Sequence, residues 1–206
     1  MRAVEKGGAP NVYTQHRAAR NDLTGVIGWY CSYCEMGVRN MIEVEHIVPQ
    51  ANGGAPLDWE NFLLSCRYCN GCKGNDNQDR DGYLWPDRDN TDMVFDYNEA
   101  TVMHPMPGTG VEVEAAATID LMKLARYTAG LNRPTIADTR ETARLDAWQS
   151  AKKVLSIYQN NPSLEKAKLI GTVAKWAGFY SIWMTVFAGI DDVKAQIVAN
   201  FKGTYT

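Results

Sequence analysis

The sequence predicts an α+β protein that is mainly helical, and three observations predict it. Two Cys-x-x-Cys pairs, Cys31/Cys34 and Cys66/Cys69, bracket two short strand-like runs. Apolar residues recur at helical spacing over most of the C-terminal half. Between these regions the chain from Asn75 to Gly110 is rich in Asp, Asn, Gly and Pro, a composition that makes turns. The expected organisation is residues 1–80 as an N-terminal helix plus a metal-clamped core, 81–110 as an acidic, loop-rich connector, and 111–206 as a helical region that docks a partner.

Taken in order, Asn11 is positioned to cap a first helix running from Val12 to about Trp29, with Val12, Ala19, Leu23, Val26 and Ile27 as its apolar stripe. Met41 to Glu45 alternates in the manner of a short strand, Pro49 to Pro56 with Gly53-Gly54 is a loop, and Phe62-Leu63-Leu64 is a second strand. A hairpin of Met93–Tyr97 and Thr101–His104 is expected around Asn98-Glu99. Helices follow over about Glu112–Tyr127, Ile136–Tyr158 and Leu164–Trp176, the last behind Pro162-Ser163, then around 178–189 and 191–201. On the second of these, Leu145, Trp148, Val154, Leu155 and Tyr158 are expected to face inward.

Composition narrows the function. With 206 residues, 45% hydrophobic, including six Trp and ten Tyr, the chain can bury a core of its own and is neither fibre nor disordered tail. The longest apolar run, Ala177–Ile190, is 14 residues long and meets Asp191-Asp192, too short to cross a bilayer as a helix. The N-terminal MRAVEKGG has no apolar stretch of the secretory kind, so a cytoplasmic location is expected. A formal net charge of −3 excludes a generic basic coat for nucleic acid. Residues 81–110 carry one basic and six acidic side chains, which concentrates the negative charge there.

The cysteines carry the strongest signal. Two Cys-x-x-Cys knuckles can set four thiolates tetrahedrally about one structural zinc ion, each knuckle chelating through a tight turn. Four thiolates fill that ion's coordination sphere and leave no open position for catalysis. Reduced core cysteines are the plainer alternative, and Cys72 reads as a packed or free thiol. What lies between the knuckles is polar: Glu43-Val44-Glu45-His46, then Asn61, with Asn70 and Lys73 just beyond. On a strand, Glu43 and Glu45 share one face and Val44 and His46 the other. A histidine at a strand end is ordinarily a structural hydrogen-bonder. A carboxylate beside it and a carboxamide across the knuckle point instead to oxygen ligands for a hard cation and an imidazole that can take a proton from water.

The runs EVEHIVPQ, Gly53-Gly54, WENFLLSC and CRYCNGCKG resemble the HNH endonuclease family over about residues 31–75. The resemblance implies a ββα-metal fold, in which a zinc-clamped hairpin and helix hold one catalytic metal, and metal-dependent hydrolysis of phosphodiesters, DNA foremost. Carried over by position, His46 is the general base, Glu45 and Asn70 are ligands of a catalytic Mg²⁺ or Mn²⁺, and Asn61 braces the loop and orients the base. Lys73 matches a basic residue near the scissile phosphate, and Glu43 is an additional ligand or an exposed strand charge. The family more often has Asp or His where Glu45 stands, and Asn70 replaces its final His. The whole chain also resembles, through shorter stretches such as Leu84-Trp85-Pro86 and Gly130–Arg133, the small HNH subunits of Septu-type and retron-associated anti-phage systems, which implies an ABC-like ATPase partner.

Two other readings stand beside this one: a catalytically silent, zinc-stabilised interaction module, and a stand-alone restriction-type nuclease, for which no helix-turn-helix or further zinc finger is visible. Elsewhere the bland reading is preferred. His104 is expected at a surface or turn, His16, Arg17 and Arg20 on a solvated helix face, with contact to DNA or a partner as the lesser reading, and Lys152, Lys153, Lys166 and Lys168 as dispersed solubilising charges.

Overall fold

In a computed structural model of the chain, residues 1–98 and 101–205 are described. The architecture is a mixture of helices with two small sheets. In chain order it runs α1 (Arg20–Ile27), β1 (Glu43–His46), β2 (Phe62–Ser65), α2 (Arg67–Lys73), β3 (Phe95–Tyr97), β4 (Met103–Pro105), α3 (Glu112–Leu121), α4 (Arg140–Asn160), α5 (Leu164–Ala177), α6 (Tyr180–Val186) and α7 (Asp191–Asn200). Among the described residues, no helix is long and apolar enough to cross a membrane. The apolar run at 177–190 ends α5, turns at Gly178 and Phe179, and forms α6, whose Ile182 and Trp183 are fully buried.

The element carrying the site forms because one strand alternates and the other is apolar over Phe62–Leu64 before ending at Ser65. β1 and β2 pair antiparallel with Glu43 opposite Ser65 and His46 opposite Phe62. Every residue of β2 is buried, as a strand covered on both faces requires. The chain then turns at Cys66, whose sulfur accepts from the Cys69 amide at 3.4 Å and so caps α2. The first knuckle is stitched to the same strand by Ser32 N donating to Leu64 O at 2.8 Å.

The first helix is shorter than expected. Asn11 does not cap it; its amide donates to Asp22 at 3.0 Å, and the ring of Tyr13 packs on Trp59 and Phe62 with its hydroxyl on the same Asp22. This tertiary anchoring keeps the segment before His16 non-helical, so a single 3-10 turn, His16–Ala19, leads into α1. The expected hairpin is present as β3 and β4, although Glu99 of its turn lies outside the described residues. α3 ends at Leu121 and α4 starts only at Arg140, so the long helices expected there are trimmed at the connecting loop. α5 starts where Pro162-Ser163 places it, with the Ser163 hydroxyl accepting from Lys166 N at 3.2 Å.

Two apolar cores result. One unites α1, the knuckles, β1–β2, the β3–β4 hairpin, α3 and the start of α4; the other lies among α4 to α7. The segments of the chain are tied together by buried polar contacts that period alone does not reveal. Lys6 donates to the carbonyls of Trp59 and Phe62, both at 3.0 Å, and pairs with Asp87 at 2.9 Å. Glu35, just after the first knuckle, accepts from the Ser181 hydroxyl at 2.6 Å and from the Ser181 amide at 3.0 Å. Arg140, at the start of α4, reaches back to Cys69 Sγ at 3.2 Å while Asp138 holds its Nε at 2.8 Å.

Candidate active site and metal centres

The sulfurs of Cys31, Cys34, Cys66 and Cys69 lie within 4.8 Å of one another, and all four residues are buried. Among the described residues this is the one convergence of three or more His, Cys, Asp or Glu ligand atoms. The Cys34–Cys66 sulfur separation is 3.8 Å, which matches the edge of a tetrahedron with metal–sulfur bonds of about 2.3 Å. The donor set therefore fits a zinc ion closed to substrate. Cys72 stands outside it, half-buried, with the Arg140 guanidinium 3.8 Å from its sulfur.

The polar residues between and beyond the knuckles converge on the face of β1 that meets α2. Asn70 and Lys73, three apart on α2, lie on one side of that helix. Asn70 Nδ2 donates to Glu43 Oε2 at 2.7 Å, so Glu43 is not a free strand charge. Lys73 is buried, pairs with Glu45 Oε2 at 3.2 Å and donates to the His46 carbonyl at 2.8 Å. The other Glu45 oxygen accepts from the Tyr33 hydroxyl. Burial pushes the Glu45 carboxyl up to about 7, against the opposing pull of Lys73 and Tyr33. Burial, reinforced by the Glu45 charge, holds Tyr33 well above its ordinary range, so the phenol keeps its proton and acts as the donor.

These oxygen donors suit a hard divalent cation such as Mg²⁺ or Mn²⁺. The Asn70 amide oxygen is left free by the contact its nitrogen makes, and Glu43 is only half-buried. Glu45 differs, because both of its oxygens are already engaged inside the protein, although each keeps further lone pairs.

His46 occupies the end of β1 with its ring edge-on to Phe62, 5.3 Å between centroids. Its Nε2 lies 3.0 Å from both the Pro56 carbonyl and the Gln50 amide group. A carbonyl can only accept, whereas a Gln amide can turn to present either atom. Nε2 therefore carries the hydrogen, and Nδ1 is the basic nitrogen. His46 shares a cleft of about 260 Å³ with Glu45, Asn70 and Lys73.

Asn61 is buried beneath the loop that follows β1. Its amide donates to the Val48 and Ala55 carbonyls, both at 3.0 Å, and its oxygen accepts from Val48 N at 2.8 Å. Gly54 is needed in the same place, since a Cβ there would lie 1.9 Å from Val48 O. Asn61→Ala should cost about 2–4 kcal/mol, because three backbone groups lose their partner at once, and Gly54→Ala should destabilise the same loop. Chemical denaturation reads both, and an unchanged midpoint for Asn61→Ala would remove the bracing role.

The structure brings His16 into the cleft, as its lesser sequence reading allows, and adds Asn77 and Asn52, which carried no sequence signal. His16, assigned to a solvated face, lies 4.9 Å from His46 between ring centroids and lines the same cleft. Burial, with His46 and Arg17 nearby, lowers the tendency of His16 to hold a proton. Asn77 is buried, donating to Ile47 O at 2.9 Å, and Asn52 reaches the carbonyls of Asn75 and Asn77, so the chain after α2 is sewn to the loop after β1. Helical spacing carries no signal for His16, since its neighbours come from the far side of the loop. His104 faces Asp96 at 3.8 Å on the hairpin, far in sequence from the cleft and not among its lining residues.

The family model for HNH endonuclease matches residues 31–76, from the first cysteine to just past α2. This supports the HNH family for that part of the chain, and with it nuclease activity and binding of nucleic acid in general. Comparison with curated proteins returns no match.

Proposed function

We propose that the chain is a metal-dependent endonuclease with a ββα-metal core, hydrolysing phosphodiester bonds of DNA. The observation that carries the reading is His46, its Nε2 fixed by Pro56 O, in one cleft with Glu45, Asn70 and Lys73. Asn70, Glu43 and Glu45 would hold a Mg²⁺ or Mn²⁺ ion, and the four cysteines a zinc ion. A divalent cation bound there supplies positive charge for the phosphate and the departing oxygen. His46 Nδ1 takes the proton of a water molecule, which attacks phosphorus in line. Lys73 keeps Glu45 and the His46 backbone in register, and Asn61 keeps the loop bearing Pro56 closed beneath the imidazole.

Incubating the zinc-loaded protein with supercoiled plasmid, with and without Mg²⁺ or Mn²⁺, tests this directly. Nicking that requires the added cation is expected; no nicking under any cation returns the chain to a silent zinc-stabilised module.

Glu45 adds a pH dependence. A proton competes with a cation for this carboxylate below about 7. The rise in Tm on adding Mn²⁺ should therefore be larger about one unit above pH 7 than one unit below, and Glu45→Gln should flatten the difference. In the metal-free protein the sign reverses: neutral Glu45 is the form burial favours, so its contribution to stability falls as pH rises through about 7.

We further read the protein as the cytoplasmic nuclease subunit of an anti-phage complex with an ABC-like ATPase. Supporting this are the short whole-chain resemblances and the solvent-facing Ile157, Leu164, Leu169 and Trp176 on α4 and α5. Co-purification with the ATPase would test it.

A further inference from the structure

We propose that the turn into α1 is a phosphate-binding wall of the site: His16, Arg17 and Arg20 receive the phosphodiester backbone of the nucleic-acid strand beside the bond that is cut. The proposal rests on the nuclease reading and deepens it.

His16 and Arg20 stand four residues apart and so share a helix face, with Arg17 three before Arg20. That face is turned to the candidate catalytic residues. His16 borders the cleft of His46, Glu45 and Lys73, and also an adjoining cleft of about 320 Å³ lined by Arg17, Arg20, Glu43, Val44 and Asn70. Asn70 is common to both, so the two clefts form a continuous groove that passes α2 and the end of β1. Two guanidinium groups flank this groove. Among the described residues, no carboxylate lies within ion-pairing distance of either one, and the Arg20 Nε is buried without any hydrogen-bond partner.

Two guanidinium groups lining one cleft without a carboxylate partner are placed to meet phosphate oxygens through their terminal nitrogens. Arg80 and Arg140 each meet a carboxylate, Asp87 and Asp138, whereas Arg17 and Arg20 meet none among the described residues; a buried unpaired Nε is shared by Arg20, Arg80 and Arg144 and does not set Arg20 apart. Glu43 is the acidic group lining the Arg17–Arg20 cleft, and its oxygen is held by Asn70. The groove thus presents fixed positive charge on the α1 side and oxygen donors on the α2 side, the arrangement a phosphate next to a divalent cation requires.

Binding, not cleavage, tests the wall. A fluorescein-labelled DNA duplex is titrated by anisotropy across a range of salt with Mg²⁺ present, using His46→Ala protein so that nothing is cut. Adding Arg17→Gln and Arg20→Gln to that background should weaken binding about tenfold or more. It should also flatten the log–log salt slope by about 1.8, the value for two lost phosphate contacts. Arg17→Glu alone, at an exposed position that folding does not need, should weaken binding as well. Lys152→Gln with Lys153→Gln, an equal change of charge on α4, should leave affinity as in the parent. Equal affinity and slope with and without the two arginines would overturn the wall, as would absence of measurable binding by the parent or an equal loss in the α4 control. The plasmid assay reports separately on the nuclease reading, so either can fail alone.

Discussion

His46→Ala leaves a folded, zinc-loaded protein whose cation-dependent cleavage falls by about 10²–10⁴, the usual worth of a positioned general base. The fold should survive because the imidazole is half-exposed, its hydrogen bonds lie at the surface, and its apolar contact is the edge of one ring. The bracing of the neighbouring loop comes from Asn61 and Gly54, which the substitution does not touch. The diagnostic readout is a pair: zinc content and Tm close to wild type, with initial nicking rates far below it. Equal cleavage by the variant under the same cation would assign the proton transfer elsewhere, and His16, 4.9 Å away, is then the group to remove next.

Cys66→Ser has the opposite signature. It removes a sulfur from the four-cysteine cluster, while the serine hydroxyl can still accept from Cys69 N and cap α2, so the effect isolates the metal. A structural zinc of this type is worth on the order of 10 kcal/mol to folding, comparable with the whole stability of a typical domain. The expected outcome is loss of bound metal, loss of the cooperative thermal transition and aggregation, all together. A soluble, cooperatively folding Cys66→Ser protein that lacks zinc would sink the structural-zinc assignment.

The local pattern made the two strands of the β1–β2 pair legible to within about two residues, because strand alternation and an apolar run are short-range signals, whereas α2 came only with the family resemblance and without bounds. α5 was as legible as the strands, announced by Pro162-Ser163. What stayed hidden was long-range. Asn11 has the chemistry of a helix cap, yet Asp22 and the packing of Tyr13 on Trp59 claim that segment for an extended path. Lys6 and Arg140 are buried against acceptors remote in sequence, and Arg144 reaches back to the Arg126 carbonyl while its Nε stays unpaired. At the site, the spacing placed Glu43 and Glu45 on one strand face. It could not say that Asn70 would take Glu43 while Lys73 and Tyr33 would take Glu45. That division depends on where α2 lands, and therefore on the knuckles.

Arg140 carries a consequence for how the molecule can be divided. With zinc bound, four thiolates leave two net negative charges in a place that water does not reach. The guanidinium against Cys69 Sγ, itself held by Asp138, would share its charge with that dianion, and it is contributed by α4, some seventy residues further along the chain. A fragment ending at residue 110 would keep every cysteine and every candidate catalytic residue, yet would leave the sulfurs without the cation that offsets them. The helical region thus reaches the four-cysteine cluster, and a fragment trimmed to the matched segment is expected to hold zinc less tightly than the full chain, which chelator competition would read.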